Sequence, residues 1–116
     1  MIKLYGIPNC NKIRNTRKLL EQHHIPFEFI NVRKNPLEVQ KIAEISRHLS
    51  LQDMFNTRGS TYRRLKLDYN NMHDTDRLNW LIREQTMIRR PLLENKGYYH
   101  IGFNEEAILK FVSAGK

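Results

Sequence analysis

A chain of 116 residues with 40% hydrophobic content has room for one moderate core, and its formal charge of +8 favours anionic partners over cationic ones. No apolar run is long enough to cross a bilayer, MIKLYGIPNC lacks the features of a signal peptide, and one cysteine excludes an internal disulfide. A soluble, cytoplasmic, single-domain protein without membrane contact is therefore expected. The basic residues are dispersed in pairs such as Arg17-Lys18, Arg63-Arg64 and Arg89-Arg90, which fits solvated faces, so direct nucleic-acid binding is not expected.

Ile2, Leu4 and Tyr5-Gly6-Ile7 form a short apolar strand pattern that ends at Pro8-Asn9. Asn9 is the expected cap of a helix in which Ile13, Thr16 and Leu20 recur at helical spacing, closed by His23-His24-Ile25-Pro26. FEFINV, residues 27–32, is rich in aromatic and β-branched residues and reads as a strand. Strand, helix and strand make a right-handed βαβ unit with parallel strands, which puts the helix N-terminus at the edge where open α/β sheets carry their sites.

From Asn35 the pattern turns helical, with Asn35 as cap, Pro36 at the first position and Glu38 three residues on, and with Leu37, Ile42, Ile45 and Leu49 as the buried stripe. Ser50 opens a shorter helix with Leu51, Met54 and Phe55 that ends near NTRG, where Gly59 suits a left-handed turn. STYRRLKL adds a turn or two. A clearer helix runs from about Asp74 to about Thr86, with Leu78, Leu81 and Ile82 on one face and Trp80 flanking it. PLLE and YYHIGF flank the hairpin signal Asn95-Lys96-Gly97, and Asn104 caps a last helix whose Glu105 and Glu106 favour its positive end. With no repeat or linker, the middle helices read as an insertion packed on the same sheet.

This order places the chain's one cysteine, Cys10, in the first turn of a helix, where unpaired N–H groups and the helix dipole stabilise thiolate. Free cysteine titrates near 8.5, and cysteines so placed at roughly 3.5 to 7.5. Arg14 and Arg17 follow on the same helical face and supply positive charge or anion contacts. The competing reading is a small buried hydrophobe, the commoner fate of a lone cysteine. His23, His24, His48, His73 and His100 show no metal-ligand spacing with Cys10, so no metal site is expected, and there is no glycine-rich phosphate loop.

Four ordered blocks, PNCNKIRNTRKLL, NTRGSTYRRL, MIRRPLL and HIGFNEEAILKF, resemble the family that joins glutathione-linked arsenate reductases (ArsC) with the Spx, MgsR and YffB proteins. The resemblance spans nearly the whole chain. It implies an α/β, thioredoxin-like βαβ-ββα core, about 1–34 and 87–116, interrupted by a helical subdomain at about 35–86. It also implies that Cys10 is the nucleophile, that Arg14, Asn15 and Thr16 belong to a CxxxRNT pattern, and that Arg58 and Arg90 are active-site arginines. Pro91 matches a proline that is commonly cis beside the thiol. Asn9, Arg14, Thr16 and Pro91 are thus candidate substrate contacts, and Cys10, Arg58 and Arg90 candidate catalytic residues.

Two departures narrow this. The arsenate reductases carry a third arginine after the hairpin, where this chain has YYHIGF, and the Cys-x-x-Cys switch usual in Spx proteins is replaced by Ile13. The expected chemistry is attack by the Cys10 thiolate on a disulfide, a sulfenic acid or an oxyanion. No second cysteine is present, so resolution falls to an external thiol such as glutathione, with no bound cofactor. The alternative implied by the same resemblance is an Spx-like transcriptional regulator that binds RNA polymerase without turnover.

Overall fold

The computed structural model describes residues 1–114; the last two positions of the expected core segment 87–116 lie outside the described residues. The elements in chain order are β1 (Ile2–Gly6), α1 (Asn11–Gln22), β2 (Phe27–Asn31), α2 (Val39–His48), α3 (Leu51–Met54), α4 (Ser60–Leu65), α5 (Asp74–Arg83), β3 (Leu92–Asn95), β4 (Tyr98–Ile101) and α6 (Glu105–Ser113), with short 3-10 turns at Tyr69–Asn71 and Gln85–Met87. The chain divides into two compact units, Val32–Arg89 and the two segments that flank it.

The first unit is built on one four-stranded sheet in the order β2-β1-β3-β4. β1 runs parallel to β2 and antiparallel to β3, and β3 is antiparallel to β4. This is the βαβ-ββα arrangement of a thioredoxin-like core. Ile2 and Leu4 of β1 share a face with Leu93, the register partner of Leu4, and meet Ile13, Leu19 and Leu20 of α1 and Ile108 and Val112 of α6. Tyr5 points to the opposite face, where its hydroxyl donates to Glu94 Oε1 at 2.7 Å. A strand buried on both sides reads as an almost unbroken apolar run, as IKLYGI does.

Local chemistry explains the turns. α1 ends in a Schellman motif: His24 takes φ 55°, its N–H reaches the Glu21 carbonyl at 3.1 Å, and the Ile25 N–H reaches that of Leu20 at 2.9 Å. The β3–β4 hairpin turns through Lys96 (φ 53°) and Gly97 (φ 83°), the two positive dihedrals of a type I′ turn. Asn104 caps α6, its Oδ1 accepting from the Ala107 N–H at 2.9 Å.

The second unit closes a core of its own around Ile42, Ile45, Met54, Phe55, Leu81 and Met87, all nearly inaccessible to solvent. The Phe55 ring meets Tyr62 and Tyr69 edge-on, with centroids 6.0 and 5.2 Å apart. A bridge from Phe55 to Ile88, with Arg89 N–H to Met54 carbonyl at 2.7 Å, draws the end of this segment back along its middle.

Four local expectations are corrected. α1 is capped by Cys10, not Asn9, which lies exposed in the preceding turn. α2 starts at Val39, because the Gln85 side chain accepts from the Leu37 N–H at 2.7 Å and donates to its carbonyl at 2.8 Å, holding that residue outside the helix. Gly59 is extended (φ −82°) and precedes α4; a Cβ there would stand 2.7 Å from Asn56 Nδ2, so close approach accounts for the glycine, and Lys66 makes the left-handed turn instead. α5 ends at Arg83, three residues before Thr86, and gives way to the 3-10 turn.

Candidate functional site

β1 ends at Gly6, and Ile7 to Asn9 turn the chain so that Cys10 becomes the N-cap of α1, with φ −122° and ψ 128°. α1 presses hard on the strand end: a Cβ on Gly6 would lie 2.3 Å from Ile13 Cδ1. Only a residue without a side chain lets the first turn of α1, and the thiol with it, come so near the sheet. Cys10 is partly buried, packs against the core of this unit and is a free thiol.

A cap side chain normally offers an oxygen to the amides two and three residues on, those of Lys12 and Ile13 here. The neutral thiol makes no such cap bond, since sulfur is a weak acceptor until it ionises. Burial pushes the thiol pKa up and is the largest single influence, but it is outweighed by the Ile13 and Lys12 amides, the charge of Arg90 and a hydrogen bond from Arg90. Cys10 consequently titrates below an ordinary cysteine.

Arg90, two residues before β3, reaches the thiol, and the Arg90-Pro91 peptide is cis. Pro91 is buried, and its carbonyl accepts from the Gly102 N–H at 3.0 Å. Gly102 adopts φ 94° and is also bonded by the His100 ring, Nε2 to Gly102 carbonyl 3.1 Å. Burial lowers the His100 pKa more than that bond raises it, and in the segment of the absent arginine the His100 ring lies tilted against Phe111.

The other candidates separate. Arg14 is exposed and its guanidinium bonds the Asn11 side chain, while Arg17 lies over the Phe29 ring, 4.9 Å from its centroid. Neither is among the groups that shift Cys10. Thr16 is fully buried and its hydroxyl donates to the Lys12 carbonyl at 2.6 Å, an interior role that gives it no contact with solvent. Asn9 and Pro8 are exposed beside the thiol in sequence. Arg58 belongs to the second unit, where NTRG forms an Asx-type turn: its N–H donates to Asn56 Oδ1 at 3.1 Å, its carbonyl accepts from Arg63 at 3.0 Å, and its side chain is exposed. Among the described residues no group of three His, Cys, Asp or Glu side chains is placed to hold a metal, and no helix is long and apolar enough to cross a membrane.

A cysteine at the N-cap of the helix after the first strand of a βαβ-ββα core, beside an arginine that precedes a cis-proline, defines a thioredoxin-like fold. The chain belongs to the ArsC family, whose model matches residues 5–111. The global transcriptional regulator Spx of Listeria monocytogenes is 28% identical over 114 residues, covering 97% of this chain and 87% of the relative. Among solved structures, a YFFB protein superposes with a TM-score of 0.87 at 23% identity, over 97% of this chain and all of that one. A protein of Streptococcus mutans described as a possible arsenate reductase gives 0.81 at 28% identity, over 96% and 98%.

Proposed function

We infer that this protein is a thiol-dependent redox protein in which Cys10 is the nucleophile and an external low-molecular-weight thiol, most simply glutathione, is the resolving partner. The observation that carries this reading is the free Cys10 thiol at the N-cap of α1 beside Arg90, where the Ile13 and Lys12 amides and Arg90 favour its ionised form. The thiolate attacks one sulfur of a disulfide; the new bond to Cys10 forms as the old S–S bond breaks, and the electron pair leaves with the departing thiolate. A second thiolate attacks the outer sulfur of the adduct, forms a new disulfide and frees Cys10. A second pass of the same two steps, in which Cys10 attacks the glutathione sulfur of that new mixed disulfide and another external thiolate frees it, releases the second substrate thiol, so two external thiols reduce one disulfide and leave as a disulfide themselves. Arg90 is suited to hold a carboxylate of the incoming thiol through its planar fork.

A disulfide is favoured over arsenate as the electrophile, because residues 98–103 supply no third guanidinium and burial disfavours a charged His100 in its place. The test is turnover of a model disulfide by reduced glutathione, expected for the native protein and lost in Cys10→Ser. Arg58 enters the same assay: a catalytic role requires Arg58→Gln to lower turnover without lowering Cys10 alkylation. The second reading, a regulator that binds RNA polymerase without turnover, draws support from the Spx relative matched along 97% of the chain. Retention of the protein on immobilised RNA polymerase, with no Cys10-dependent turnover of any disulfide or of arsenate, replaces the first reading by the second.

A further inference from the structure

The second unit contains an open cavity of about 590 Å³, bounded by the turn after β2, the start of α4 and the end of α5. That volume falls within the range of small-molecule sites, about 300 to 1,000 Å³. The cavity shares no residue with the Cys10 site. Its lining residues include three arginines, Arg33, Arg64 and Arg83, and one acidic residue, Glu84. Basic residues gathered around one concavity raise the local concentration of anions there.

The walls are fixed by hydrogen bonds within the unit. Gln85 ties the Leu37 main chain from both sides and also donates to the Ile82 carbonyl at 3.3 Å. Thr61 Oγ1 and Thr86 Oγ1 meet at 3.1 Å, joining α4 to the 3-10 turn at the cavity wall. A cavity held open in this way needs little reordering when a ligand enters. Arg64 is exposed and makes no ion pair among the described residues, and Arg83 rests over the Trp80 ring at 4.8 Å. Arg33 has another partner and adds charge at the rim. Ser60 and Thr61 bring hydroxyls, while Pro36 and Ile82 offer an apolar face.

We propose that this cavity binds a small phosphate-bearing molecule, with Arg64, Arg83 and the Ser60 and Thr61 hydroxyls on the phosphoryl oxygens and the rest of the ligand against Pro36 and Ile82. A phosphate monoester carries close to two negative charges near pH 7 and three acceptor oxygens, which matches two guanidiniums and two hydroxyls. Three arginines against one glutamate leave an excess of positive charge for such a dianion to neutralise. Concavity favours a compact ligand over an extended acidic peptide.

Trp80 is the chain's only tryptophan, so intrinsic fluorescence reports on the Arg83 contact. Titration with inorganic phosphate and with AMP at constant ionic strength should give a saturable change, accompanied by amide chemical-shift changes at Ser60 and Thr61. Arg64→Gln, an exposed substitution, should weaken binding about tenfold or more while leaving Cys10 alkylation unchanged. Cys10→Ser should bind as the native chain does. The proposal is overturned if neither fluorescence nor amide shifts saturate, if potassium chloride at the same ionic strength reproduces them, if Arg64→Gln titrates like the native protein, or if a poly-glutamate peptide binds where phosphate and AMP do not.

Discussion

At the residue scale the thiol sits at a helix cap position, where the Ile13 and Lys12 amides favour its ionised form. Because its folded pKa is depressed, Cys10 adds stability that is fully present above the unfolded-state pKa of an ordinary cysteine and is lost as the pH falls through the lower folded value. Unfolding by urea across that window should therefore show stability rising with pH in the native chain, with this component absent in Cys10→Ser. Arg90 contributes both charge and a hydrogen bond to the thiolate. In Arg90→Gln the midpoint of Cys10 alkylation against pH should move up toward that of free cysteine, and an unchanged midpoint refutes the pairing. Thr16 makes the opposite case: buried and bonded to the Lys12 carbonyl, it serves the helix. Thr16→Val keeps the volume and loses one bond to a carbonyl, so it should cost about 1 kcal/mol and leave turnover intact. A loss of turnover at unchanged stability would return Thr16 to the substrate contacts.

At the element scale the site depends on how closely α1 meets β1. In Gly6→Ala the new methyl meets Ile13, which is itself fully buried and cannot swing into solvent. Overpacking of this kind costs about 1 to 3 kcal/mol, and relief by shifting the first turn of α1 moves the amides that hold the thiolate. Gly6→Ala should thus lower the denaturation midpoint and raise the alkylation midpoint together, whereas a fall in stability alone would separate packing from the site. The element order was legible because apolar periodicity, the Asn104 cap and the Lys96-Gly97 turn all carry their signals locally. The boundaries that moved have distant or unusual causes. Gln85 holds Leu37 across 48 positions of sequence, which no cap rule applied at Asn35-Pro36 registers. Cys10 takes the cap position from Asn9, a residue type that usually fills it, because the chain turns one residue later than Pro8-Asn9 suggests. Gly59 serves a close contact with Asn56 and not a left-handed dihedral, two reasons for glycine that look identical in a sequence.

At the scale of the whole molecule the sequence holds one cysteine, so on the proposed redox reading one thiol starts and ends each cycle without help from the same chain. Ile13 stands where a second cysteine would resolve an adduct, and it is buried in the core beneath α1, so the position serves packing and not exchange. An intramolecular disulfide is therefore closed to this chain, and the proposed mechanism requires its adduct to persist as a mixed disulfide until an outside thiol arrives. Incubation with excess oxidised glutathione should give a single glutathione adduct per chain by mass spectrometry, absent in Cys10→Ser. That adduct should survive removal of small molecules and disappear on addition of reduced glutathione. Its formation should quicken as the pH rises through the lowered Cys10 pKa and then level off, since the attacking species is the thiolate. In Arg90→Gln the same profile should shift to higher pH, tying the rate to the electrostatics of the site. If the adduct forms no faster than with free cysteine at neutral pH, and with the same pH dependence, the protein does not activate its thiol, and the redox reading fails while the fold stands.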